Sequence, residues 1–176
     1  MNLALPAATA PPAATAASAA SADTLARGAG YDVVLLAHVL SALVGLGAVA
    51  AAGGYALALM RSGPGSEAVR RYYRPGVNWA GRILFLVPVF GVALILMSHG
   101  GWSLSDGWIG TGLVLWAGVA GAGEMVLWPA ERRLQLAVGG SAPPTELRSP
   151  CLRVATTAGL MAVVLLVATV VMVAKP

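Results

Sequence analysis

Tyr31–Met60, YDVVLLAHVLSALVGLGAVAAAGGYALALM, decides the class of this chain. The run carries one acid at its start, Asp32, and one imidazole, His38. A hydrocarbon core of ~30 Å needs about 20 apolar residues in a helix, so this run is long enough to cross it. Three more runs meet the same requirement: Trp79–Ser98, Gly107–Trp128 and Leu152–Ala174. The pattern predicts an all-α fold, a four-helix transmembrane bundle with antiparallel up-down helices over about 31–60, 79–98, 107–128 and 152–174. Residues 1–30 are mostly Ala, Pro, Ser and Thr and can bury little, so they read as a disordered N-terminal tail. An over-extended start site and a cleaved signal peptide are the alternatives, the second opposed by Pro6, Pro11 and Pro12 and by the lack of a basic n-region.

Composition agrees with the spans. Of 176 residues, 58% are hydrophobic and only 10% charged. Soluble domains carry ~25% charge, so a water-facing surface could not be covered. The length suits one domain, residues 31–176, after the tail. The net charge of +4 does not imply a nucleic-acid partner, because the basic residues lie in two connections rather than in a stripe. Cys151 is the single cysteine, which excludes an intrachain disulfide and any CxxC motif. It reads as a small buried or interfacial residue, with reversible acylation as the alternative.

The same charges give an orientation. Arg61, Arg70, Arg71 and Arg74 follow the first run, and Arg132, Arg133, Arg148 and Arg153 follow the third. The connection Ser98–Asp106 has no Lys or Arg, and only Arg27 and Lys175 oppose the trend. The positive-inside rule then predicts a multi-pass protein of the bacterial inner membrane with both termini outside and basic loops 61–78 and 129–151 in the cytoplasm. Tyr31, Trp102 and Trp108 serve as aromatic anchors at the outer face, and Tyr72, Tyr73, Trp79 and Trp128 at the inner one.

Local features refine the helices. Ser41, Ala42, Gly45, Ala48, Ala52 and Ala56 form a stripe of small residues on the face that carries His38, suited to close helix contact in lipid. Gly110, Gly112, Gly118, Gly121 and Gly123 favour close contact by the third helix. Pro88 and Gly91 predict a kink in the second helix, and Pro129 a bend after the third. Ala130–Val138 then reads as a short amphipathic segment along the inner surface, and Gly139–Pro150 as loop. Asp32 reads as a cap or surface group at the first helix N-terminus.

Chemistry-bearing residues fall into two sets. His38 and His99 both belong to the outer level, with Met97, Asp106 and Met172. Histidine and thioether ligands suit copper, and histidine pairs can hold haem iron. The competing reading gives His38 a structural or proton-linked role and leaves the methionines as packing material. Met97 and His99 are two apart, which turns them to nearly opposite sides of a helix. The second set is Arg82 and Glu124, each ~5–6 Å inside the inner boundary at 1.5 Å rise per residue, an intramembrane ion pair or a proton or ion relay. No nucleophile elbow, phosphate-binding glycine loop or HExxH occurs.

Four short motifs carry a family likeness: Leu36-Ala37-His38-Val39-Leu40 with Gly45, the Arg70–Pro75 run before the second helix, Gly101-Trp102-Ser103-Leu104 before Trp108, and WPAERRLQLA at Trp128–Ala137. Over Tyr31–Ala174 the chain resembles an uncharacterised family of bacterial four-helix integral membrane proteins, itself similar to the CopD-type membrane domain of copper resistance. The likeness implies the same bundle and makes His38, which matches a recurrent first-helix histidine, the copper or haem candidate. A second in-membrane histidine is missing. The residues therefore favour a structural, accessory or transport-related membrane protein without catalytic chemistry and with no cofactor. A copper- or haem-handling protein using His38 is the alternative. Its partners are the lipid bilayer and either further copies of itself or other membrane subunits.

Overall fold

The structure, a computed structural model, describes residues 28–140 and 143–175. The expected tail lies outside the described residues up to residue 27. The first span is α1, Gly28–Ser62, followed by a 3-10 turn at Gly63–Gly65 and a short helix α2 at Glu67–Tyr72. The second combines α3 (Trp79–Arg82), a 3-10 turn (Ile83–Phe85) and α4 (Leu86–Met97). The third combines α5 (Gly107–Ala122), a π-helical turn (Gly123–Leu127) and α6 (Trp128–Gly139), and the fourth is α7, Pro144–Ala174. These four stretches are long and apolar enough to cross a membrane. No strand occurs among the described residues.

The bundle is built around the contact between α1 and α7. Along α7, Leu147, Cys151, Val154, Ala158, Met161 and Leu165 are buried at alternating steps of four and three, the spacing of a helix seam. They meet Val49, Ala52, Ala56 and Leu59 of α1 in one core. The small stripe on α1 is used as expected at Ser41, Gly45, Ala52 and Ala56, while Ala42 and Ala48 are only half-buried. A Cβ on Gly53 would lie 3.1 Å from that of Ala158, and one on Gly45 would lie 2.8 Å from Leu84 Cδ1. Glycine at these two positions therefore sets how closely α7 and the second span approach α1. The second span flanks α1, and α5 and α6 flank α7. Outward faces such as Leu36, Leu43, Val89, Leu96, Val163 and Val170 are apolar and exposed, as a lipid-facing surface requires.

Several local expectations are corrected. Asp32 does not cap α1, which starts at Gly28, but lies exposed on its surface, the other role expected of it. The third span does not end before Pro129. Instead the backbone widens just before it, with the Trp128 amide bonded to the Gly123 carbonyl across a π turn, and helix continues through Pro129 to Gly139. A π turn next to proline is a local solution to the missing amide and the ring's bulk. The segment Ala130–Val138 is helical and two-faced, with Ala130, Glu131, Leu134 and Gln135 buried and Arg132, Arg133 and Leu136 exposed, but it continues the third span rather than standing apart from it. The segment 139–150 is not all loop either, since α7 starts at Pro144 and runs through Pro150. Burial of Leu147 and Cys151 on either side of Pro150 holds that first stretch helical. Trp128 and Tyr73, expected as interfacial anchors, belong to the core, whereas Trp79 is exposed.

Close approach at Gly45 yields a test. Gly45→Val forces its side chain into Leu84 and is expected to destabilise the bundle by about 1–3 kcal/mol. Gly47→Ala, which would meet nothing within 4 Å, leaves thermal stability in detergent unchanged or slightly raised.

Candidate functional site

At the end of the bundle that carries the two termini, the expected ligand set is dispersed. His38 Nδ1 lies 2.9 Å from the Val87 carbonyl, which accepts its proton. The ring sits against Gly91, where a Cβ would be 3.4 Å from His38 Cε1. Donation through Nδ1 leaves Nε2 as the lone-pair nitrogen. Met97 reaches the backbone of Gly30, and Met172 packs into the space over Gly112 on α5. Asp106 accepts the Ser103 amide at 3.0 Å in the connection before α5. His99 is exposed, in a left-handed conformation with φ of 50°, next to Gly100 at 88° where the chain reverses. Among the described residues, no three His, Cys, Asp or Glu side chains converge as a metal site.

The same end has a contact the sequence did not suggest. Lys175 Nζ lies 4.3 Å from the centre of the Trp102 ring and 5.6 Å from that of Trp108. The two indoles meet edge to face at 5.3 Å. This cation–π arrangement ties the end of α7 to the connection between the second and third spans.

At the opposite, basic end, the structure brings Arg82 and Glu124 together, with Nη1 to Oε1 at 3.7 Å. Their side chains are 36% and 49% exposed, so the pair is a half-open contact rather than a buried charge. Arg82 also stacks over Trp128, its Cζ 5.1 Å from the ring centre. Trp128 in turn packs on Gly81 and Gly123, where a Cβ would lie 3.3 Å from Nε1 and 3.1 Å from the ring.

Beyond Trp128 lies a buried acidic group. Glu131 is 4% exposed. Its Oε1 accepts from the Tyr72 hydroxyl at 2.8 Å and from Asn78 Nδ2 at 3.3 Å. Asn78 also accepts the Gly81 amide at 3.2 Å, so one side chain caps the second span and reaches the third. Gln135 Nε2, one turn along α6, reaches the Gly76 carbonyl at 3.4 Å. Tyr72 stacks on Tyr55 of α1 at 4.2 Å. Together these contacts fasten the connection 66–78 onto α6. They leave a cleft of about 20 Å³, lined by Gly76, Val77, Asn78, Arg82, Trp128, Glu131, Arg132 and Gln135. That volume holds about one water molecule.

Two tyrosines mark how dry this region is. Burial pushes the Tyr72 hydroxyl well above its ordinary range, and the charge and hydrogen bond of Glu131 add to it. Burial likewise raises Tyr73, with smaller effects of Cys151 and Glu131. Tyr73 is 1% exposed, and its hydroxyl has no hydrogen-bond partner among the described residues. Sequence reading placed both tyrosines at the membrane surface and passed over Glu131. The available signal was that Glu131 sits on the same helical stripe as Leu127, Ala130 and Leu134.

A family model described as "Predicted integral membrane protein (DUF2269)" matches residues 32–176. No curated protein and no solved structure matches the chain.

The raised tyrosines fix a pH dependence. An unfolded tyrosine ionises near pH ~10, whereas in the folded protein the proton is held more tightly. Folding stability is therefore fully present below about pH 10 and is lost as pH rises above it. Thermal stability in detergent should fall in that alkaline window, and replacing Tyr72 and Tyr73 with Phe should flatten the fall. An equally steep fall in the double variant would contradict the assignment.

Proposed function

We propose, from the premise that this chain belongs to the DUF2269 family of predicted integral membrane proteins, that it is a structural or accessory protein of the bacterial inner membrane, not an enzyme and without a resident cofactor. The observation that carries this reading is the use of its interhelical polar groups. His38 bonds the Val87 carbonyl, Trp116 Nε1 donates to the Leu84 carbonyl at 3.0 Å, and Tyr72 donates to Glu131. Each ties one helix to another, which is what polar side chains do when they stabilise a bundle in lipid. The proposed orientation has the N- and C-termini outside and the basic segments 61–78 and 129–151 in the cytoplasm, supported by the seven arginines there and Arg153 just beyond. Homo-oligomers or other membrane subunits are the protein partners this reading admits.

Two alternatives have their own support. The copper- or haem-handling reading, with its CopD-type likeness, draws on the Nε2 lone pair of His38. A proton-linked transport reading draws on Glu131, since an ionisable residue enclosed within a membrane domain marks a functional position.

One preparation separates the three. Protein purified from cells supplied with copper and haem should contain neither in stoichiometric amount, and pyranine-loaded liposomes carrying it should acidify no faster than empty ones. A Soret band or bound copper that His38→Ala removes would establish the metal reading. Proton flux that Glu131→Gln abolishes would establish transport. In a Cys151→Ala background, a cysteine at Ser103 should label in intact cells with an impermeant reagent and one at Ser66 should not; the reverse pattern would invert the orientation.

A further inference from the structure

We infer that the cleft at the basic end is a binding site for a phosphoethanolamine group, the zwitterionic headgroup of an ethanolamine phospholipid. The inference goes beyond the accessory reading and does not depend on it. It rests on how charge is layered in the cleft. The buried group is a carboxylate, Glu131, whereas Arg132 is exposed and Arg82 half-exposed on the same lining. Glu131 Oε1 is occupied by Tyr72 and Asn78, and no hydrogen bond engages Oε2 among the described residues. Oε2 is also not among the fully enclosed unpaired atoms, and Glu131 lines the cleft.

The depth of the cleft and its polar groups select the ligand. Trp79, next to the lining residue Asn78 at the start of the second span, is 74% exposed. This is the level at which indoles mark the headgroup layer. A trimethylammonium has no N–H to donate to the Glu131 carboxylate that lines the cleft. A primary ammonium supplies three donors, and the lining offers the free carboxylate oxygen and the Gln135 amide oxygen. The phosphate of the same headgroup then lies outward, toward the guanidinium of Arg132, a group suited to bidentate phosphate contact. Arg82, already balanced by Glu124, contributes the second positive charge on the rim. A ligand with phosphate alone would leave the Glu131 carboxylate unpaired, and an ammonium alone would leave Arg132 unused.

Native mass spectrometry of the detergent-solubilised protein tests this without any variant. With equal additions of palmitoyl-oleoyl phosphatidylethanolamine, phosphatidylcholine and phosphatidylglycerol, the ethanolamine lipid should be retained about tenfold more than either other lipid, a difference of about 1.4 kcal/mol. Glu131→Gln should bring ethanolamine and choline lipids level, and Arg132→Ala should weaken ethanolamine-lipid retention while leaving the bundle folded. Equal retention of ethanolamine and choline lipids by the natural chain would overturn the proposal, as would equal or greater retention of the glycerol lipid. Free O-phosphoethanolamine distinguishes the source: displacement of the lipid at comparable concentration identifies a soluble ligand, and failure to displace it identifies the membrane lipid.

Discussion

Inside a bilayer no water is available to a backbone group that loses its helical partner, and Pro88 creates such a group in the second span. Proline has no amide hydrogen, so the Leu84 carbonyl lacks its donor four residues on. The third span supplies one: Trp116 Nε1 donates to Leu84 O at 3.0 Å. The first span engages the same disturbed backbone from the other side, where His38 donates to Val87 O over the bare surface of Gly91. Thus one proline obliges the third span to present a polar group at fixed depth, His38 adds a second tie from the first, and three of the four spans are registered against each other. The 3-10 turn at Ile83–Phe85 and the burial of Leu84 against Gly45 follow from that arrangement.

The two ends of the bundle solve different problems. At the terminal end, connections are closed by local contacts: Ser103 with Asp106, a left-handed reversal at His99 and Gly100, and Lys175 over two indoles. At the basic end, distant parts of the chain meet at Glu131. Tyr72 and Asn78 come from the connection after the first span, and Glu131 from a helix that begins only after the π turn. That turn rotates α6 relative to α5, which is how a residue six positions before Ala137 in an outwardly amphipathic segment comes to lie in the core. The enclosed carboxylate with arginines above it is the feature that distinguishes this end from a plain helix cap.

Much of this was legible before any coordinates. The four spans follow from length and apolar content alone, since the bilayer dictates both. The small residues on α1 announced a close neighbour, and equal depth on consecutive helices is enough to bring Arg82 and Glu124 side by side. What escaped the sequence depends on tertiary context. Pro150 and Pro129 look like terminators, yet neighbouring burial of Leu147 and Cys151, and widening at Gly123–Leu127, carry helix through both. Glu131 and Arg132 are adjacent letters, but one is buried and the other exposed. The apolar stripe of Leu127, Ala130 and Leu134 points to which is buried, but the Glu131 partners Asn78 and Tyr72 are set only by the fold. His38 stands out in the sequence by its isolation, while its partner, a main-chain carbonyl, leaves no trace there.

The dependence of the bundle on the Pro88 gap can be measured directly by a double-mutant cycle. Pro88→Ala restores an amide to face Leu84 O, so the indole of Trp116 loses its special task. Trp116→Phe should destabilise the natural chain by about 0.6–1.7 kcal/mol in detergent, the range for interhelical hydrogen bonds in membranes. The same change should cost distinctly less in the Pro88→Ala background. An equal loss in both backgrounds would show that Trp116 only packs, and would contradict the claim that its hydrogen bond stands in for the one proline removes.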